Sequence, residues 1–258
     1  MSTSLSLPAI ELRQVSAGYD AEPVLHHVSF TVRAGERVAV LGANGAGKST
    51  LFRIIVRLLP VKRGQVLIFG EPVEAAHTEI AYLPQDVHSP ARFPATVFDV
   101  VMMGRYRFLK RLRPPSPDDR RAVRRALEQV RLAHLADQPI TVLSGGQRQR
   151  MFLARALAQE ARILLLDEPF RGVDVGSQQV IQQTLEQLGA QGVTVLLATH
   201  NLALASLFDR VIILREGHVV GDGSPATLLT TERLMDIFDL VDVPETIPLR
   251  EQGEEENR

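Results

Sequence analysis

Gly42-Ala43-Asn44-Gly45-Ala46-Gly47-Lys48-Ser49 satisfies the pattern G-x-x-x-x-G-K-[ST] at every defined position. Glycines in such a loop let successive backbone N–H groups turn inward around a phosphate chain. Lys48 brings a point charge to it, and the Ser49 hydroxyl is placed to ligate Mg²⁺. Thr50, the next residue, joins the phosphate-contacting set. Upstream, Arg37 to Leu41 is almost wholly apolar, as a buried parallel strand is; downstream, Ser49 to Leu59 carries apolar residues at helical spacing. Strand, glycine loop and helix in that order are the context the motif requires, and the expected ligand is ATP.

Working outward, Val28 to Val32 alternates apolar and polar residues, and residues 10–41 read as short strands broken by turns. Gln65 to Phe69 and Glu79 to Leu83 read as further strands. From about Thr96 to Gln159 the pattern is helical, interrupted at Pro114, Pro115 and Pro117, with an arginine-rich amphipathic helix over Asp118 to Val130. Arg162 to Leu166, Val193 to Ala198 and Val211 to Leu214 then alternate with helical stretches, the signature of βαβ units and a mostly parallel sheet. Val243 to Arg258 contains prolines and then acidic residues, and reads as disordered.

With 258 residues and 45% hydrophobic content the chain can bury a substantial core. A net charge of −1 gives no global field toward nucleic acid or anionic membrane, and no nucleic-acid partner is expected. The absence of cysteine excludes disulfides, thiolate metal sites and thiol catalysis. The apolar runs are far short of the roughly 20 residues that span a bilayer, and residues 1–8 lack the basic start and apolar core of a secretory signal. A cytoplasmic location is the expectation.

A second glycine-rich turn, Leu143-Ser144-Gly145-Gly146-Gln147, lies far downstream at the start of a helix. Its backbone donors also suit an anion. One face of the triphosphate is already enclosed by the first loop, so this spare site must serve another nucleotide or another subunit. Asp167 and Glu168 end the apolar run Ile163 to Leu166, on the sheet edge where ligands gather in open α/β sheets. Asp167 suits Mg²⁺; Glu168 suits polarisation of the attacking water, since a base must reach the water without being consumed by the metal.

His200 follows a strand to the same edge and either contacts the γ-phosphate or simply ends the strand. Gln85 follows Pro84, where its amide reaches Mg²⁺ or water. Tyr19 either stacks on a base or serves the structure. Asp174 either closes a network at a subunit boundary or caps the helix that starts near Gly176. Of the seven histidines, all but His200 read as surface or core; His26 and His27, adjacent in a strand, point to opposite faces. Arg105 to Arg125 holds nine basic residues against two acidic ones and reads first as a solvated helix face, then as a docking surface for a membrane subunit or acidic headgroups, and last as a nucleic-acid contact.

In this order the residues resemble the ATPase subunit of ATP-binding cassette (ABC) transporters over roughly residues 10 to 240. The resemblance implies an α/β fold: a P-loop NTPase core with a mostly parallel sheet, an N-terminal antiparallel β part and a helical signature subdomain. It implies one cassette over residues 1–240, the helical subdomain inserted at about 86–160, and an acidic, flexible tail over 241–258. Tyr19 corresponds to the adenine-stacking aromatic, Gly42 to Ser49 to Walker A, Gln85 to the Q-loop glutamine, and Leu143 to Gln147 to the family signature. Ile163 to Asp167 corresponds to Walker B, Glu168 to the catalytic glutamate, Asp174 to the D-loop aspartate and His200 to the switch histidine. Such domains pair head to tail, each ATP held by the P-loop of one copy and the signature turn of the other, which explains the spare site.

Residues 93–106 and Asp167-Glu168-Pro169-Phe170-Arg171-Gly172-Val173-Asp174 look like the subfamily serving manganese, zinc and iron importers, with Arg171 where a small residue is expected. The resemblance implies membrane-spanning permease subunits, an extracytoplasmic substrate-binding protein, and a peripheral position at the cytoplasmic face. Phe93, Val97, Phe98 and Met102 are candidates to receive a short helix from the permease, or else pack the helical subdomain. The rivals are a soluble ABC ATPase acting as assembly factor or nucleic-acid clamp, and an exporter motor. One intact cassette without long heptads disfavours the first.

Overall fold

The computed structural model describes residues 7–19, 22–85, 94–109 and 114–238. The chain opens with β1 (Ile10–Ala17), β2 (Leu25–Val32), β3 (Arg37–Leu41), α1 (Lys48–Ile55), β4 (Arg63–Ile68), β5 (Glu71–Pro72), α2 (Val73–Ala76) and β6 (Ile80–Leu83). A run of helices follows: α3 (Val97–Met102), a 3₁₀ segment (Met103–Phe108), α4 (Pro117–Gln129) and α5 (Gly145–Leu157). The remainder is β7 (Ile163–Asp167), α6 (Val175–Ala190), β8 (Thr194–Thr199), α7 (Leu202–Ala205), β9 (Arg210–Arg215), β10 (His218–Gly223), α8 (Pro225–Leu228) and α9 (Thr231–Phe238).

Two sheets result. The antiparallel one has the order β2-β1-β4-β5, and the larger one β10-β9-β3-β8-β7-β6. In the larger sheet every pairing is parallel except the β9–β10 hairpin. Its central strands bury both faces, which is why they read as unbroken apolar runs. On β3, Val38 and Val40 pack toward α1 and the antiparallel sheet, whereas Ala39 and Leu41 pack toward the helical side. β7 divides likewise, with Ile163 and Leu165 on the first side and Leu164 and Leu166 on the second. Each such leucine or isoleucine removed from water contributes about 1.5–3 kcal/mol, so the parallel strands are the rigid floor on which the loops stand.

Several details depart from the sequence reading. The helix after the phosphate loop stops at Ile55 rather than Leu59, because Arg57 adopts φ 62° and turns the chain toward β4. β10, an antiparallel edge strand, alternates exposed and partly buried positions over His218–Gly223 and was not expected from the β-branched runs. Val97 and Met102 pack into the core of the helical side and are not available to a partner, while Phe98 is partly buried against it. Phe93 and residues 239–258, including the expected tail, lie outside the described residues.

Arg105 does not belong to a solvated face. It is buried, with Nε donating to Asp119 Oδ1 at 3.1 Å and Nη1 to Ala158 O at 2.9 Å and Glu160 Oε2 at 2.6 Å. Asp119 also completes a capping box with Ser116 at the start of α4. The Ser116 hydroxyl first, and Arg105 with it, hold the Asp119 carboxyl below its ordinary range against the opposing effect of burial. His26 stacks on His218 with ring centroids 4.9 Å apart, a contact between β2 and the unexpected strand β10.

Candidate nucleotide site

β3 delivers the chain to Gly42, whose N–H donates to Thr199 O at 3.2 Å; a side chain here would strike Leu214 O at 2.6 Å. Gly45 (φ 85°) and Gly47 (φ 102°) hold left-handed conformations that suit glycine and turn the loop back on itself. Gly47 is the N-cap of α1, and no side chain caps that helix. Its first N–H groups are therefore left for an anion. Lys48 is buried, and its Nζ donates to Gly42 O at 2.8 Å and Ala43 O at 3.0 Å while lying 3.5 Å from Glu168 Oε1.

β7 ends in Asp167, which is 1% exposed and has one carboxylate oxygen, Oδ1, with no hydrogen-bond partner among the described residues. Burial pushes its carboxyl above the ordinary range; a hydrogen bond with Ser49 opposes this, and the charge of Glu168 adds to it. A buried carboxylate with an open oxygen is expensive unless a cation completes it. Glu168, also buried, is held at φ 47° by the donation of its N–H to Ala198 O at 3.1 Å. Its Oε1 stands 3.2 Å from Nδ1 of His200, which emerges half-exposed from β8. The sheet thus sets a lysine, a glutamate and a histidine around one oxygen.

The open cleft beside them, of about 340 Å³, is lined by Tyr19, Val24, Asn44, Gly45, Gly47, Lys48, Ser49, Thr50, Gln85, Glu168 and Arg171. Ala43, Asn44, Gly45 and Ala46 line a second recess on the far side of the loop. Tyr19 is exposed, and its hydroxyl accepts a hydrogen bond from Arg53. The structure therefore gathers Tyr19, the loop, Gln85, Asp167, Glu168 and His200 at one sheet edge.

Ser144 and Gly145 to Gln147 do not line that cleft. Ser144 is the N-cap of α5: its Oγ accepts from Gln147 N at 3.2 Å, and Gln147 Oε1 accepts from Ser144 N at 2.9 Å. The exposed Ser144 hydroxyl keeps its own hydrogen for an outside acceptor. Gly146 is required by proximity, since a Cβ there would lie 2.0 Å from Asp174 Oδ2 and 2.4 Å from Ser177 Oγ. Asp174 is the N-cap of α6, accepting from Ser177 N at 2.9 Å, and that bond lowers its pKa. Of its two sequence readings, the structure displays the cap.

Arg53, Tyr82 and Arg171 face the site without having been assigned a part in it by the sequence reading. Arg53 was findable, because it stands four residues beyond Ser49 on one face of α1. Tyr82 pairs in register with Leu165, two residues before Asp167, so period-two alternation sets Tyr82 and Asp167 on one face of the sheet.

The family model described as ABC transporter matches residues 25–171. The chain is 43% identical over 237 residues to the manganese transport system ATP-binding protein MntA of Synechocystis sp., covering 91% of each. It is 40% identical over 225 residues to the zinc transport system ATP-binding protein TroB of Treponema pallidum, covering 87% of this chain and 84% of that one. A solved structure of a metal-chelate type ABC transporter in an inward-facing conformation superimposes with TM-score 0.80 at 30% identity, covering 91% of this chain and 90% of the other. An ATP-binding cassette solved as a dimer in a post-hydrolysis state with ADP and Pi superimposes with TM-score 0.73 at 27% identity, covering 84% and 98%. The chain belongs to the ABC transporter family, and within it to the ATP-binding, ATP-hydrolysing subunits.

Proposed function

We propose that this chain is the motor of an importer of a divalent metal ion (manganese, zinc or iron) or a metal complex. Two copies pair head to tail beneath membrane-spanning permease subunits at the cytoplasmic face, and an extracytoplasmic binding protein supplies the cargo. The observation that carries the pairing is the separation of the two anion-binding turns: the signature turn is outside the cleft around Lys48, with a free hydroxyl hydrogen and nothing in that cleft to receive it. Val142 and Val175, large apolar residues left exposed beside Ser144 and Asp174, support burial of this face against a second copy. The manganese and zinc transport chains it resembles support the cargo class.

In this reading residues 1–240 work as one cassette, with the helical insertion at about 86–160 presenting the signature turn. Ser49, Asp167 and Gln85 would hold Mg²⁺: the unpartnered Oδ1 of Asp167 and the neighbouring hydroxyl and amide are the oxygen donors a hard cation takes. Bound there, the ion supplies neutralisation of phosphate charge. Lys48 exchanges the carbonyls of Gly42 and Ala43 for phosphate oxygens. Glu168 polarises the water and takes its proton, and His200, at 3.2 Å, orients that carboxylate. The Tyr19 ring stacks on the base, Thr50 and the loop amides hold the phosphates, and Ser144 to Gln147 of the second copy close over the γ-phosphate beside Asp174.

Mixing tests the shared site. Ser144→Arg and Lys48→Ala homodimers each have two damaged sites and should hydrolyse little ATP, whereas a mixed dimer concentrates both lesions in one site and regains activity. Wild-type hydrolysis independent of protein concentration would sink the pairing. Uptake of labelled manganese, zinc and iron, the iron both free and chelated, by cells lacking the gene tests the cargo, and unchanged uptake of all of them would end the metal-importer reading.

A further inference from the structure

A polar chain crosses the site beneath the phosphate loop. The Arg53 guanidinium donates to the Tyr19 hydroxyl and lies 5.7 Å from that ring. The same guanidinium also bears electrostatically on Tyr82 and on Asp167. Tyr82, half-buried on β6 and packed edge-on against Phe52, points its hydroxyl at Asp167 Oδ2 across 3.5 Å, a long hydrogen bond. Oδ1 of the same carboxylate has no partner among the described residues.

Donor chemistry fixes the polarity of this chain. Arginine has only hydrogens to give and a carboxylate only lone pairs, so the Tyr82 oxygen faces the guanidinium as an acceptor and its single hydrogen is directed to Asp167. One carboxylate oxygen is thereby occupied and the other is left open among the described residues. A phenylalanine at position 82 would fill the same space against Phe52 and remove the hydrogen directed at Oδ2.

We propose that Tyr82 and Arg53 are positioning residues: Tyr82 aims the open oxygen of Asp167 at the metal, and Arg53 fixes that aim while holding Tyr19 in place as the base platform. The inference rests on the assignment of Asp167 to Mg²⁺ and of Tyr19 to the base. Partners of this kind beside a metal ligand typically change metal affinity by about 10–100-fold when removed.

The test is nucleotide titration of the full-length chain, with ATP and with inorganic tripolyphosphate, at graded Mg²⁺. Tyr82→Phe should raise the Mg²⁺ concentration needed for tight ATP binding by about tenfold or more, leaving Mg²⁺-free ATP binding unchanged. A purely structural tyrosine would weaken Mg²⁺-free ATP binding as well, and that result overturns the proposal, as does wild-type Mg²⁺ dependence in the variant. Arg53→Met, in which a long apolar chain keeps the packing of α1, should erode the preference for ATP over tripolyphosphate; an undiminished preference overturns the part given to Arg53. Wild-type protein that binds ATP equally with and without Mg²⁺ would instead remove the site assignment on which the proposal rests.

Discussion

The chain opens two helices with glycine-rich turns, and the two use glycine differently. At Gly42 to Ser49 the glycines supply backbone angles, φ 85° at Gly45 and φ 102° at Gly47, and the helix they open has no side-chain cap. At Ser144 to Gln147 the helix is closed by its own capping box, and Gly146 is there because Asp174 and Ser177 leave no room for a side chain. The carboxylates nearby divide in the same way. Asp167 is buried with an oxygen unpartnered, whereas Asp174 is satisfied by the N–H of Ser177. The first turn is incomplete without a ligand; the second is complete and offers only its outer surface. That is the division of labour expected of a site whose halves lie on different copies.

The largest expected effect falls on the incomplete side. Glu168→Gln keeps the shape of the side chain and loses its basicity, so turnover should drop by roughly 10²–10⁴-fold while ATP binding persists. A phosphate-release assay beside a nucleotide titration checks both, and near-normal turnover would take Glu168 out of its role. On the complete side, Gly146→Ala drives a methyl into Asp174 and Ser177 and should destabilise the fold by about 1–3 kcal/mol, read as a lower midpoint in urea. Gly45→Ala meets no atom within 4 Å, so only its left-handed backbone resists; a cost of about 1 kcal/mol follows, and a larger loss than at Gly146 would reverse the comparison.

The smallest effect is a slope in pH. Asp167 holds its proton more tightly folded than unfolded, so without nucleotide or metal the folded state binds more protons between the ordinary carboxylate value and its raised one. Stability contributed by this group is present below that window and is lost as pH rises through it. Asp174, with its lowered pKa, contributes in the opposite sense: its stability is present above the ordinary value and is lost as pH falls. Urea melts of apo protein across mildly acid pH should show the Asp167→Asn variant free of the first loss; identical slopes would mean that Asp167 is not buried as described.

Much of this was legible in the residues. The phosphate loop and the parallel strands are local patterns: glycine spacing in one case, unbroken apolar runs in the other. β10 escaped because an edge strand buries little, so His218–Gly223 carries no apolar run. Arg105 escaped because composition reports that a segment is basic and cannot report that one arginine turns inward to Asp119 and Glu160, far apart in sequence. Arg53 and Tyr82 come from different strands and helices of the fold, and only the parallel pairing of β6 with β7 brings Tyr82 to Asp167. Contacts within an element can be read from spacing; contacts between elements wait for the topology.

The uncapped start of α1 makes an occupant of the phosphate loop part of the fold as well as fuel for it. A ligand at a hundredfold excess over its dissociation constant adds about 2.7 kcal/mol to the folded state, and an empty loop forgoes all of it. Apo copies therefore open more often than loaded ones, so the folded population of this subunit depends on nucleotide supply before any cargo is moved.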